Sequence, residues 1–162
     1  DLTEVACAPE SFHARFDARW KEYLYRWSRA EVIPPREAPF VAPISPRAQA
    51  GRMREAAAAL PGRRDFSVFA VRLAKSESGV RTLESVTVEE AGDELRALFR
   101  GEGFLRGMVR SIAGVLADAA RGKVPASRAR ELLRTGDRRA LSPKAPAKGL
   151  TLLRVGYGPE TP

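Results

Sequence analysis

Cysteine and histidine are almost missing from this chain: Cys7 and His13 are the single examples of each in 162 residues. One cysteine excludes an intrachain disulfide, and one thiol with one imidazole is too small a set for a structural zinc site. No apolar run approaches the roughly 20 residues that a membrane-spanning helix needs, and nothing at the start has the pattern of a signal peptide. These absences predict a soluble protein of a reducing, cytoplasmic setting, with no disulfide, no structural zinc and no membrane span. Methionine is scarce too, at Met53 and Met108 only, and the first residue is Asp1. The expectation is that further polypeptide precedes it.

Acidic charge is also short. Twenty Asp and Glu face 28 Lys and Arg, for a net charge of +8, and 23 of the 28 cations are arginine. A guanidinium offers a planar fork to phosphate or carboxylate, so nucleic acid leads among partners. With 44% of residues hydrophobic, the chain is expected to form one domain burying roughly two-thirds of its unfolded surface.

Period-two alternation predicts a strand from Arg19 to Arg29, with Lys21, Tyr23, Tyr25 and Trp27 on one face and Trp20, Glu22, Leu24 and Arg26 on the other. Five prolines make 32–46 an irregular connection. Ser45 then reads as an N-cap with Pro46 at the first helical position, the helix stopping at Pro61-Gly62. Asp65 to Val71 is a short apolar segment, followed by a polar loop to Arg81. Leu83–Glu90 and Glu94–Arg100 flank Ala91-Gly92-Asp93, the pattern of an antiparallel hairpin.

A helix is predicted from about Gly103 to Arg121, its apolar stripe running from Phe104 through Met108, Val109 and Ile112 to Ala119, with Gly122 closing it. Arg106 and Arg110 fall four residues apart on one side, Arg110 beside the core boundary, where low polarity would strengthen its pairing with an anion. A shorter helix follows from Ser127 to Thr135, with Leu132 and Leu133 inward and Gly136 at its end. Then comes a basic loop over Arg138 to Lys148 and a last strand over Leu150 to Tyr157. This order suits an α+β or mixed α/β domain, a mostly antiparallel sheet covered by helices.

Five segments, Phe12-His13-Ala14-Arg15-Phe16-Asp17-Ala18, Lys21-Glu22-Tyr23-Leu24-Tyr25, Asp65-Phe66-Ser67, Phe104-Leu105-Arg106-Gly107-Met108-Val109-Arg110 and Ala145-Pro146-Ala147-Lys148-Gly149-Leu150, occur in this order. Together they resemble the bacterial tRNA pseudouridine synthase A family over about residues 11 to 157. The resemblance implies a pseudouridine synthase-type fold and isomerisation of uridine at positions 38 to 40 of the tRNA anticodon stem and loop, with no cofactor. The C1′–N1 bond would break and C1′ rejoin the base at C5, an aspartate near the ribose starting the reaction.

By the same resemblance Arg110 would pair with that aspartate, Tyr23 would pack against the target uracil, and Leu152 would form the apolar floor. Arg15 would contact phosphate or support the pocket from behind, and Arg72, Lys75, Arg106, Arg138, Arg139 and Lys148 would grip RNA. Homodimers presenting paired clefts to tRNA are implied as well. The family's Gly-Arg-Thr-Asp-Ala-Gly-Val-His segment, which carries the aspartate, is absent, and none of Asp1, Asp17, Asp65, Asp93, Asp118 or Asp137 has its context. The chain is therefore expected to be the C-terminal domain of such an enzyme, inactive alone. A non-catalytic RNA-binding module of the same fold is the alternative, with a basic protein-interaction domain behind it.

Overall fold

The computed structural model describes residues 7–73 and 77–158. The alternating segment forms the strand β1 (Trp20–Ser28), and the proline-rich connection contributes a two-residue strand, β2 (Ala42–Pro43), before the helix α1 (Ala50–Ala57). Then follow β3 (Gly62–Asp65), β4 (Val80–Ala91), β5 (Glu94–Gly101), α2 (Met108–Ala120), α3 (Arg128–Thr135) and β6 (Leu150–Gly156), with 3₁₀ turns at Ser67–Phe69, Arg138–Ala140 and Ala147–Gly149.

The sheet runs β2-β1-β5-β4-β3, and β6 pairs with β1 alongside its N-terminal part. Every pairing is antiparallel except the short β1–β2 contact. This is the expected mixed class, a mostly antiparallel open sheet with three helices. The hairpin of β4 and β5 turns where the sequence placed it: Ala91 pairs with Glu94, and Gly92 takes φ +58, a conformation cheap only without a Cβ.

Tyr25 and Trp27 of β1, Leu95, Ala97 and Phe99 of β5 and Val86 and Val88 of β4 join one core with Met53, Ile112, Leu116 and Leu132 from the helices. The other face carries charge. Glu94 accepts from Arg26 and Arg96, Arg154 stands 3.9 Å from Glu22, and the Arg100 guanidinium lies 4.2 Å from the Trp20 ring centroid. The alternation read along β1 thus separates a buried aromatic face from a polar one.

Three boundaries differ from the sequence expectation. Ser45 does not cap α1; its hydroxyl accepts from Arg47 N and its carbonyl from Ala48 N, closing a separate turn, while α1 begins after Gln49, whose N–H donates to Ala120 O. α2 begins at Met108 because Gly107 sits at φ +78 and Phe104–Gly107 is irregular, so Arg106 is a turn residue and does not share a helix face with Arg110. Between the helix stop at Pro61-Gly62 and the apolar segment opening at Asp65 the sequence marks no element, yet Gly62–Asp65 is β3, an exposed strand whose Arg63 and Arg64 give no hydrophobic alternation.

Candidate active site

Arg110 lies in the first turn of α2, the most buried helix of the fold. Its Nε donates to the Ala145 carbonyl at 2.8 Å, and its own carbonyl accepts from Ala145 N at 3.0 Å. That double contact requires the 143–145 segment to lie against α2, and Gly114 permits it: a Cβ there would collide with the Pro143 carbonyl. The next residues are fixed from the sheet side. Tyr25, fully buried, donates its hydroxyl to Pro146 O at 2.6 Å, and Gly149 packs against the Tyr25 ring with no room for a side chain.

Arg110 and Tyr23 line the same cavity of about 190 Å³, together with Phe104, Arg106, Val109 and Leu150. Tyr23 is half-buried, its ring edge-on to Phe104 with centroids 5.0 Å apart. Burial raises the Tyr23 phenol above its ordinary value, so it keeps its proton at neutral pH. Tyr25 is pushed up to about 12 by burial, an effect opposed by the positive charge of Arg110. The guanidinium thus stands between a buried phenol, a backbone carbonyl and the open cavity.

No carboxylate lines this cavity among the described residues. Four of the five described aspartates are engaged elsewhere: Asp17 accepts from His13 N, Asp65 from Ser67, Asp137 from Arg139, and Asp118 pairs with Arg121 at 3.0 Å, while Asp93 lies in the β4–β5 turn. Nor, among the described residues, does any group of three His, Cys, Asp or Glu stand together to hold a metal ion. The cavity offers two cations, Arg106 and Arg110, one neutral phenol and apolar walls.

Other residues singled out in the sequence fall in different places. Leu152 pairs with Tyr23 across the β1–β6 ladder but is half exposed, and it is Leu150 that lines the cavity. Arg15 lies in the exposed His13–Asp17 turn, where His13 Nδ1 accepts from Arg15 N and Phe16 N, and it does not line the cavity.

Arg72 and Lys148 are exposed on segments that adjoin the cavity, Arg72 next to Val71, whose N–H donates to Arg106 O, and Lys148 two residues before Leu150. Arg138 donates to the Ser67 and Ala70 carbonyls, and Arg139 is paired with Asp137 at 3.0 Å. Lys75 lies outside the described residues. Three contributors had no separate signal as site residues: Phe104 reads as part of an apolar helical stripe, Leu150 as the start of the last strand, and Tyr25 as a strand aromatic.

The family model for tRNA pseudouridine synthase matches residues 56–158. Over 161 residues the chain is 38% identical to tRNA pseudouridine synthase A of Rhodospirillum rubrum, covering 99% of this chain and 57% of that protein. The enzyme of the same name from Paracoccus denitrificans is 39% identical, covering 99% and 62%, and that of Brevibacillus brevis is 41% identical, covering 91% and 60%. The chain thus spans about three-fifths of the length of the curated relatives it matches. The mixed sheet with three helices agrees with the pseudouridine synthase fold.

Proposed function

This chain belongs to the tRNA pseudouridine synthase family, and we propose that it forms one wall of a pocket in which a uridine of the tRNA anticodon stem and loop is isomerised to pseudouridine. The observation that carries the reading is the Arg110 guanidinium, fixed by Ala145 O at 2.8 Å and facing the same small cavity as Tyr23, with no acidic partner lining it among the described residues. A cation held at an apolar wall favours a carboxylate brought beside it, and would keep that carboxylate ionised. The nucleophilic aspartate is supplied by polypeptide outside this chain, which acts as the C-terminal domain.

In this reading the flipped uracil stacks on Tyr23, a sequence-tolerant contact worth about 1–3 kcal/mol. The C1′–N1 bond breaks, the base turns, a C1′–C5 bond forms, and C5 releases its proton while N1 gains one. The reaction conserves atoms and electrons, so no oxidant is consumed. The neutral Tyr23 phenol is placed to assist proton movement. Arg72, Arg106 and Lys148 grip phosphates around the cavity mouth, and the enzyme works in the cytoplasm as a homodimer.

The test is tritium release from tRNA carrying uridine labelled at C5, using the intact protein. Arg110→Ala is expected to lower turnover by about 10²- to 10³-fold while tRNA affinity changes little. Unchanged turnover removes Arg110 from the chemistry, and a wild-type protein that binds tRNA without releasing tritium supports a non-catalytic RNA-binding module instead.

A further inference from the structure

A second concentration of positive charge lies on the side of the molecule formed by α1, β3 and α3. Arg64 of β3 and Arg130 and Arg134 of α3 line one cavity of about 420 Å³, whose other walls are Ala58, Ala59 and Leu133. All three arginines are exposed, and among the described residues none of them pairs with a carboxylate. Arg64 Nε reaches only the Pro61 carbonyl, at 3.2 Å. Arginines elsewhere are divided: Arg26 pairs with Glu94, Arg29 with Glu90 and Arg121 with Asp118, while Arg52, Arg63 and Arg106, like Arg64, Arg130 and Arg134, have no carboxylate partner among the described residues. Three like charges around one small-residue floor repel each other, and an anion delivered from outside would relieve that repulsion.

The hollow is open-ended. An adjoining cavity of about 330 Å³ shares Leu133 and Arg134 with it, carries the Asp65 carboxylate on its wall, and reaches Arg138. Arg138 is tied to Ala70 O at 2.6 Å, and the next residue, Val71, donates its N–H to Arg106 O at 2.8 Å, on the wall of the Tyr23–Arg110 cavity. The trough thus adjoins, through Arg134 and Arg138, the segment whose backbone is bonded to the wall of the uridine pocket. Arg130 and Arg134 are one helical turn apart, a spacing that suits neighbouring phosphates of one strand. A floor of two alanines and a leucine offers no hydrogen bonds to base edges.

We propose that this arginine trough is a second RNA-binding site, gripping consecutive backbone phosphates of the tRNA strand that leaves the uridine pocket, without reading sequence. The proposal rests on the tRNA reading above and adds Arg64, Arg130 and Arg134 to its contacts. The experiment measures tRNA binding by the intact protein across a salt series, with tritium release at saturating tRNA in parallel. Arg130→Gln with Arg134→Gln is expected to weaken binding about tenfold or more near physiological salt and to reduce the slope of log affinity against log salt by about 1 to 2, leaving saturated turnover unchanged. The double lysine variant, Arg130→Lys with Arg134→Lys, should keep the wild-type slope because it keeps the charge.

A Gln/Gln variant with wild-type affinity and slope overturns the trough while the catalytic reading stands. Loss of the slope in the Lys/Lys variant as well overturns a phosphate grip by charge. Absence of tRNA binding by the wild-type protein overturns the functional reading itself, and the trough with it.

Discussion

Arg110 and Ala145 hold each other twice, the arginine side chain donating to the alanine carbonyl at 2.8 Å and the arginine carbonyl accepting from the alanine N–H at 3.0 Å. One residue of a helix thereby positions both a loop and its own charged group. The guanidinium keeps its remaining N–H groups for a partner in the cavity, since Nε is the atom spent on the loop.

Gly114→Ala is expected to break this arrangement without touching a charge. The added methyl meets the Pro143 carbonyl, so the 143–145 segment must move off α2 at a cost of about 1–3 kcal/mol. Urea unfolding should show the loss, and turnover should fall with it because Arg110 is no longer fixed. Wild-type stability would mean that the loop does not need the close approach.

Tyr23 separates ring from hydroxyl. Tyr23→Phe keeps the edge-on contact with Phe104 and is expected to preserve stability and tRNA affinity while lowering turnover by about 10²-fold, the lower range for a lost proton-transfer group. Tyr23→Leu should lose affinity as well, since stacking goes with the ring. Equal turnover in Tyr23→Phe and wild type would assign the residue to stacking alone.

On the opposite face of the sheet, hydrogen bonding from Arg26, reinforced by Arg96, holds the Glu94 carboxyl below its ordinary value of 4.5. A depressed carboxyl stabilises the fold above that value, and its contribution disappears as pH falls through the lower folded one. Glu94→Gln is expected to cost about 1 kcal/mol at pH 7 and to flatten the decline in stability between pH 5 and acid. Urea midpoints measured from pH 7 down to 3 check this, and parallel curves for the two proteins would reject it.

The sequence was most readable where a turn residue and a period agreed. Gly92 between two alternating runs marks the β4–β5 hairpin, and Gly136 marks the end of α3, where it takes φ +66. It was least readable where long-range contacts decided. Gln49 starts α1 by bonding to Ala120 O, 71 residues away, and nothing local distinguishes that from the Ser45-Pro46 signal. Gly107 looked like a tolerated glycine inside a helix, but its positive φ and its contact with Val71 stop the helix there.

The same division runs through the site. Tyr23 and Arg110 were expected in one pocket, and they share a cavity. Its floor was expected at Leu152, which pairs with Tyr23 just beyond a register shift at Glu22/Tyr23 but stays half exposed, and Leu150 is the residue that lines the cavity. A bulge in an edge pairing leaves no mark in the alternation of either strand. The arginine trough was equally hidden, because Arg64 and Arg130 are 66 positions apart and each alone resembles an ordinary surface cation.

Tyr23 stands on the strand that is hydrogen-bonded on both edges, to β5 on one side and β6 on the other. Shifting its ring as a unit with its backbone would unzip two ladders together. The aromatic platform is in that sense an anvil: whatever travels during a catalytic cycle, whether substrate strand or the facing polypeptide, does the moving, and this wall stays put to receive it.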